Sequence, residues 1–567
     1  MCGIVGLYGF NRPVDPEELD RFTDSMTHRG PDGRGVYRAG EVGLGHRRLA
    51  ILDLSEAGRC PMCFEAPGGA ELWVTFNGEI YNFLELRREL EECGYRFSTQ
   101  TDTEVIMAAY HRWGEECLGR FNGMWAFALW DPGERKLLLA RDRFGIKPLY
   151  YVISGGRIAF ASELKAFLSL DGFSPSLNEP LTVKVLQNTE PWEGATDETL
   201  LSGVRRLPGG AALTVDRQGR VSIRKWWETS DHIPDVPKCY EEQVERFREL
   251  FLDAVRLRMR SDVPIGTCLS GGIDSSAVAS AMAWNHGQTT GAGLERCASD
   301  WQRTFVATFP GSRLDEKDFA DEVIRAVGAK PHYLPFNGED AVKCLLDSIW
   351  AVEFVHGTIA APVWMIYRKM RSERVLVSLD GHGGDELLAG YAGYLDWPMG
   401  KVNENLYNDF HYLMLPSILR NYDRCSMAHG IEVRMPLLDW RLVTFAFALA
   451  PEAKLGGGFT KRILRDAMKG IMPETIRTRR SKVGFNAPMI EWFNGAMKPV
   501  VEAVLNHRLW LGSPFWDGPG LRRAILDRMK EKPWGYEDWG EVFNISVKMS
   551  LVVWQLQFVE RTREGLM

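Results

Sequence analysis

Val263-Pro264-Ile265-Gly266-Thr267-Cys268-Leu269-Ser270-Gly271-Gly272-Ile273-Asp274-Ser275-Ser276 runs straight into Ala277-Val278-Ala279-Ser280. A short apolar strand, a Ser/Gly turn and a helix in that order leave free backbone N–H groups facing the turn. The helix dipole favours negative charge at the same place, so the stretch predicts an anion site. It is not a Walker A loop, because Gly-Lys-Ser/Thr is absent. A second unit of the same kind follows the apolar Val375-Leu376-Val377, reading Ser378-Leu379-Asp380-Gly381-His382-Gly383-Gly384-Asp385-Glu386-Leu387-Leu388-Ala389-Gly390-Tyr391. Two strands that each end in a glycine-rich loop predict a doubly wound parallel α/β sheet, with ligands gathered at its carboxyl edge.

The other decisive stretch is the N-terminus, Met1-Cys2-Gly3-Ile4-Val5-Gly6. A small second residue lets the methionine be trimmed, leaving one residue with both a thiol and a free α-amine. That amine has a reference pKa of roughly 7.7–8.0, so much of it is a base near neutrality, and an amine-activated nucleophile is a working catalytic arrangement. The competing reading is a small buried cysteine in a first strand. Downstream, Phe76-Asn77-Gly78-Glu79-Ile80-Tyr81-Asn82 follows the strand-like Leu72-Trp73-Val74-Thr75-Phe76. This places a side-chain amide and a glycine N–H together at a strand end, suited to receiving an oxyanion. Taken singly, Asn-Gly is a turn signal, Arg48 a surface charge and Asp102 a cap for a helix beginning near Thr103.

Taken together with His46-Arg47-Arg48-Leu49-Ala50-Ile51-Leu52-Asp53, Arg29-Gly30-Pro31-Asp32-Gly33, Thr101-Asp102-Thr103-Glu104, Arg141-Asp142-Arg143-Phe144-Gly145 and Ser162-Glu163-Leu164-Lys165, the N-terminal part resembles the class II glutamine amidotransferase domain, an N-terminal-nucleophile hydrolase. The resemblance implies Cys2 as nucleophile, its own amine as base, and Asn77 with Gly78 as oxyanion hole. It implies that Arg48 holds the glutamine α-carboxylate, which suits a planar guanidinium fork, and that Glu79 and Asp102 hold its α-ammonium. Ser270-Gly271-Gly272-Ile273-Asp274-Ser275-Ser276 looks like the pyrophosphate loop of the ATP pyrophosphatases, which release AMP and pyrophosphate. Leu269, Ser270, Gly271, Gly272, Asp274, Ser275, Ser276, Gly381, His382 and Gly383 are then the expected ATP-binding positions. Asp274 and Asp385 are the expected Mg2+ ligands, as hard oxygen donors. With Asp423-Arg424-Cys425-Ser426-Met427-Ala428, Glu432-Val433-Arg434-Met435-Pro436-Leu437-Leu438-Asp439, Thr460-Lys461, Leu464-Arg465 and Arg480-Ser481-Lys482-Val483-Gly484-Phe485, the whole chain resembles glutamine-dependent asparagine synthetase. On that resemblance Lys482 contacts the phosphates and the reacting carbonyl. Arg434 and Asp439 read as structural, and Arg424 and Lys461 either line the site or form ion pairs.

One position departs from the pattern: asparagine synthetases usually read Gly-Glu-Gly where this chain has Gly381-His382-Gly383. Histidine serves as a base near neutrality but does not reproduce a fixed negative charge. The stretch Val352-Glu353-Phe354-Val355-His356-Gly357 is also unlike the family's, and both differences bear on the acceptor.

The 567 residues carry 45% hydrophobic and 25% charged residues with a net charge of −7, enough to bury more than one core and without the basic face of a nucleic-acid binder. The expected fold is multidomain α/β: an N-terminal Ntn-hydrolase αββα sandwich over 1–233, closed by a hairpin around Asp216-Arg217-Gln218-Gly219. A doubly wound parallel ATP-pyrophosphatase domain with a helical C-terminal region follows over 234–567, opened by a helix over Tyr240 to Arg260. No secretory signal, membrane span or second cysteine pair beside Cys60-Pro61-Met62-Cys63 is found, so a reducing cytoplasm is expected, with neither a zinc site nor a membrane partner. The expected function is a glutamine-hydrolysing, ATP-dependent amide synthetase with aspartate as first acceptor, reacting through an acyl-AMP. The alternatives are another carboxylate in a cell-wall, glycan or secondary-metabolite pathway, and a non-catalytic nucleotide-sensing protein. A lactam-forming cyclase is disfavoured because such relatives lose the cysteine. A homodimer is the first assembly to test.

Overall fold

Every second residue of Gly123–Asp131 is buried on one side of a sheet and the residues between them on the other, which is why this strand reads as a continuous apolar run. Ala126, Ala128 and Trp130 join one core with Ile4, Tyr8, Val42, Leu44, Leu137, Leu139, Leu213 and Val215. Trp125, Phe127 and Leu129 join the main core of the molecule. The computed structural model describes residues 1–10, 12–187, 192–288, 295–358, 360–481 and 487–563.

Two six-stranded antiparallel sheets face each other across the smaller core. The first has the order β10 (Arg205–Arg206), β8 (Tyr150–Ser154), β9 (Arg157–Ala161), β1 (Gly3–Gly9), β3 (Val42–Arg48), β2 (Gly33–Ala39). The second runs β12 (Val221–Lys225), β11 (Ala211–Val215), β7 (Lys136–Arg141), β6 (Gly123–Asp131), β5 (Glu71–Ile80), β4 (Met62–Glu65). The helix Pro16–Asp24 packs on β1 and β3, and the helix Thr103–Trp113 on β4 and β5, which completes an αββα sandwich. The expected hairpin is the β11–β12 pair. Asn77 and Gly78, expected at a strand end, lie inside β5 instead: both stay paired with β6, opposite Ala126 and Trp125. The strand passes through Asn-Gly because Gly78 takes φ +154, where a Cβ would come within 2.2 Å of the Met124 carbonyl oxygen.

The second sheet system is parallel throughout, in the order β15 (Lys330–Pro335), β14 (Arg303–Thr308), β13 (Ile265–Cys268), β16 (Val377–Leu379), β17 (Glu432–Arg434). The strand order reverses between β13 and β16, so both glycine-rich loops leave neighbouring strands at the topological switch point. The helix Tyr240–Arg258 packs against the helices Ile273–Gln288, Trp440–Ala448 and Arg462–Ala467 with Val244, Phe247, Leu250, Phe251 and Val255 buried, the face its periodicity predicts. A helical region follows to Phe558, and no helix among the described residues is long and apolar enough to cross a membrane.

Buried charges fasten the sandwich to the parallel-sheet half. Asp439 accepts from Asn122 Nδ2 of the sandwich at 2.9 Å, from Arg258 Nη1 at 3.0 Å and from Arg441 Nε at 2.9 Å. Both Arg258 and Asp439 are 1% exposed, so removing the carboxylate strands a guanidinium in the interior. Asp439→Ala is therefore expected to lower stability by about 3–5 kcal/mol in urea unfolding, and a loss below about 1 kcal/mol would contradict this account.

Candidate active site

Cys2 sits at the start of β1, half-buried, beside the middle of β5. With Met1 attached, the Cys2 nitrogen is a peptide N–H and donates to Asn77 Oδ1 at 3.0 Å. That contact turns the other end of the amide, Asn77 Nδ2, into a buried donor with no hydrogen-bond partner among the described residues. An unpaired buried N–H beside a thiol is a donor waiting for an acceptor. The Cys2 thiol lies 3.9 Å from the Leu49 carbonyl oxygen. Burial pushes its pKa up, while the N-terminal ammonium and Arg48 pull it down.

The carboxylates expected around the glutamine converge here. Asp102, expected to hold the glutamine α-ammonium with a helix cap as the competing reading, makes no capping bond: its Oδ2 accepts from Ile80 N at 2.8 Å, turning it toward β5. Burial raises its pKa to about 6. Glu79 is held well above the carboxylate range by burial, then by the charges of Glu432 and Asp102. Arg48 anchors Nη1 on the Ser55 carbonyl at 2.7 Å and Nη2 on that of Asp53, fixing the guanidinium beneath the loop. Cys60 is buried near the same thiol, with its own pKa pushed up by burial. It has no metal-ligand set around it among the described residues.

At the switch point the two loops interlock. Gly381 packs so closely on Asp274 that a Cβ would fall 2.6 Å from it, and Gly384 would meet the Asp274 carboxyl at the same distance. Leu269 is buried, its N–H bonded to the Phe305 carbonyl at 2.9 Å. Ser270 and Ser275 hydroxyls lie 3.1 Å apart across the turn, and Gly271 takes φ +75 against the backbone of Ala320. Asp274, Ser275 and Ser276 form the first turn of the helix Ile273–Gln288, whose N–H groups face the loop. Gly383, at φ +90, ends the second loop where a Cβ would strike Leu438.

Lys461, split at the sequence level between site and ion pair, decides for both. Its ammonium bridges Asp274 and Asp385, 2.6 Å from the latter. Burial alone would lower its pKa, but the two carboxylates raise it, so it stays charged. Lys482 lies outside the described residues. His382 packs against Tyr422 with ring centroids 3.7 Å apart and the planes tilted by 52°, and its Nδ1 has no hydrogen-bond partner among the described residues, Asp380 lying 4.0 Å away. Burial lowers its pKa, so the ring is neutral near pH 7.

Two residues that the sequence reading took as scaffold or passed over join the centres. Glu432 on β17 takes the Met1 ammonium at 2.9 Å and the Arg434 Nε at 2.5 Å. Arg434 reaches within 3.6 Å of Glu79, and its backbone carbonyl accepts from Asp380 N at 2.9 Å, at the head of the His382 loop. No local signal marks this; Glu432 is 431 residues from Met1.

Known proteins match this arrangement in both halves. A glutamine amidotransferase domain family matches residues 1–227 and the asparagine synthase family matches residues 246–401 and 397–555. Asparagine synthetase [glutamine-hydrolyzing] 1 of Bacillus subtilis (strain 168) is 28% identical, covering 89% of this chain and 90% of that protein. Asparagine synthetase [glutamine-hydrolyzing] 3 of the same strain is 29% identical, over 85% of this chain and 86% of that protein. Asparagine synthetase B [glutamine-hydrolyzing] of Escherichia coli (strain K12) is 28% identical, over 90% and 86%. With an N-terminal thiol in an αββα sandwich joined to a parallel sheet that carries two phosphate-type loops, the chain belongs to the asparagine synthase family and is an enzyme of ATP-dependent, glutamine-dependent amide synthesis.

Proposed function

We propose that the chain hydrolyses glutamine at Cys2 and uses the ammonia to amidate a carboxylate activated as an acyl-AMP at the second centre. The unpaired Asn77 Nδ2 beside the Cys2 thiol carries the first half of this reading. Once Met1 is removed, the α-amine of Cys2 takes the thiol proton as sulfur attacks the glutamine amide carbon. The oxyanion meets Asn77 Nδ2 and the Gly78 N–H. Arg48 holds the α-carboxylate, and Glu79 with Asp102 the α-ammonium. Ammonia leaves, and water hydrolyses the glutamyl thioester to glutamate.

In the second centre the backbone of Leu269 to Gly272, the first turn Asp274–Ser276 and the loop Gly381–Gly383 cradle the ATP phosphates. The acceptor carboxylate attacks the α-phosphorus, the bond to the β-phosphate oxygen breaks, and pyrophosphate leaves. Ammonia then attacks the acyl carbon and AMP departs. Asp274 and Asp385, whose carboxylates now pair with Lys461, carry the hard oxygens that would hold Mg2+ at this centre. Bound there, Mg2+ neutralises phosphate charge. Lys461 adds a cation at the mouth of the loops, and the family resemblance assigns Lys482 the contact with the phosphates and the reacting carbonyl. The ten free cysteines fit a reducing cytoplasm as the compartment.

Aspartate is the acceptor this reading puts first, because relatives that match most of this chain are named asparagine synthetases and amidation of the aspartate β-carboxylate gives asparagine. A second reading, another carboxylate, is favoured by His382: a neutral ring against Tyr422 stands where the family carries a carboxylate. A single charge 4 Å from a reacting group is worth roughly 4 kcal/mol at an effective dielectric near 20, enough to change acceptor preference.

Cys2→Ala should abolish glutamine hydrolysis while synthesis from added ammonium survives, measured as glutamate release and as ATP-dependent pyrophosphate release. Residual glutaminase activity would sink the thiol assignment. His382→Glu should raise aspartate-dependent AMP formation by about tenfold or more if aspartate is the acceptor, one tenfold step being about 1.4 kcal/mol of the charge effect. No aspartate-dependent AMP from either protein, with another carboxylate supporting turnover, would overturn asparagine as the product.

A further inference from the structure

The geometry points to a separate anion-binding site in the cleft between the sandwich and the helical region. This cleft, about 1070 Å³ with its open mouth, is lined by none of the residues of either catalytic centre. Five guanidinium groups line it: Arg141, Arg143 and Arg206 from the sandwich, the second of these donating to the Phe121 and Gly119 carbonyls, and Arg420 and Arg424 from the helix Met414–Met427.

Their partners do not balance them. Arg141 donates only to backbone carbonyls, those of Lys147, Leu207 and Gly145, each at 2.6 Å. Arg206 and Arg420 share one carboxylate, Glu193, at 2.9 and 2.5 Å. Arg424 gives Nε to Glu353 and Nη1 to Asp423, both at 2.8 Å. Its third nitrogen, Nη2, is buried with no hydrogen-bond partner, on a side chain 0% exposed that lies 5.4 Å over the Tyr150 ring lining the cleft. Asp423 is already divided among Arg29, Lys147 and Arg424. Asp197 and Glu228 on the rim are taken by Arg205 and Lys225.

Buried guanidinium groups that share fewer carboxylates than they number are costly, and an oxyanion that accepts from several offsets that cost while matching their planar forks. The ligand is a small anion with a phosphate or carboxylate head. It contacts arginines of both halves at once, so its binding ties the sandwich to the helical region.

The test is ligand-dependent thermal unfolding of the full chain, titrated with inorganic phosphate, inorganic pyrophosphate or succinate against sodium chloride at equal ionic strength. At least one of the three is expected to raise Tm saturably, and which one identifies the head group. Glu193→Gln removes the competing carboxylate and should tighten that anion about tenfold, while Arg420→Gln should weaken it about tenfold, the effect of one charge-assisted hydrogen bond. Neither residue touches the ATP loops, so pyrophosphate held only there would respond to neither variant. No Tm shift with any of the three anions overturns the site, as does a shift that both variants leave unchanged. If Arg420→Gln does not fold, the opposite-signed Glu193→Gln result decides alone.

Discussion

A chain of buried ions between the two halves is the constraint on which the rest depends. Arg29, fully buried, donates to the Cys2 carbonyl at 3.0 Å, to Glu163 at 2.6 Å and to Asp423 at 2.9 Å. Asp423 passes the contact to Arg424, and Arg424 to Glu353. Glu353, held at φ +60, closes the circuit by accepting from the backbone N–H groups of Leu164 and Lys165 at 3.0 and 2.8 Å. Ions taken out of water this way are tolerated only with nearly every charge answered, so the halves dock in one register or leave charges stranded. The strand that carries the thiol is pinned to the same circuit.

Charge also sets what each centre is ready to receive. Burial and repulsion from Glu432 hold the carboxyls of Glu79 and Asp102 above their ordinary range. An arriving ammonium therefore relieves a strain already present, which favours a cationic head group there. At the switch point the reverse holds: Lys461 keeps two carboxylates neutralised at the mouth of loops whose N–H groups face outward. The link between the two environments is short. Glu432 repels the Glu79 carboxyl through space, and Arg434, between them, is hydrogen-bonded through its carbonyl to the loop that carries His382.

Much of this was legible locally. The strand, turn and helix of 263–280, the helix from Tyr240 and the hairpin of β11 and β12 follow from periodicity and glycine placement; all three form, the helix ending at Arg258 rather than Arg260. Asn77-Gly78 misled because Asn-Gly ordinarily turns a chain, whereas here the pairing of β5 with β6 continues through it and overrides the local preference. What sequence pattern does not carry is long-range partnership. Lys461 lies 187 residues from Asp274, and Asp439 lies 317 from Asn122. The choice between ion pair and site lining at Lys461 was open until the fold brought the partners together. The buried excess of guanidinium in the interdomain cleft had no sequence signature either, because its arginines come from three separated segments.

The central claim is that the acceptor carboxylate is activated by bonding to the α-phosphorus of ATP. Supplying aspartate labelled with 18O in its β-carboxylate, with glutamine and ATP, and weighing the AMP formed tests it directly. The account predicts AMP carrying one 18O atom, transferred when ammonia displaces the adenylate. Unlabelled AMP, or ADP and phosphate in its place, in a reaction that consumes aspartate and yields its amide, would contradict it.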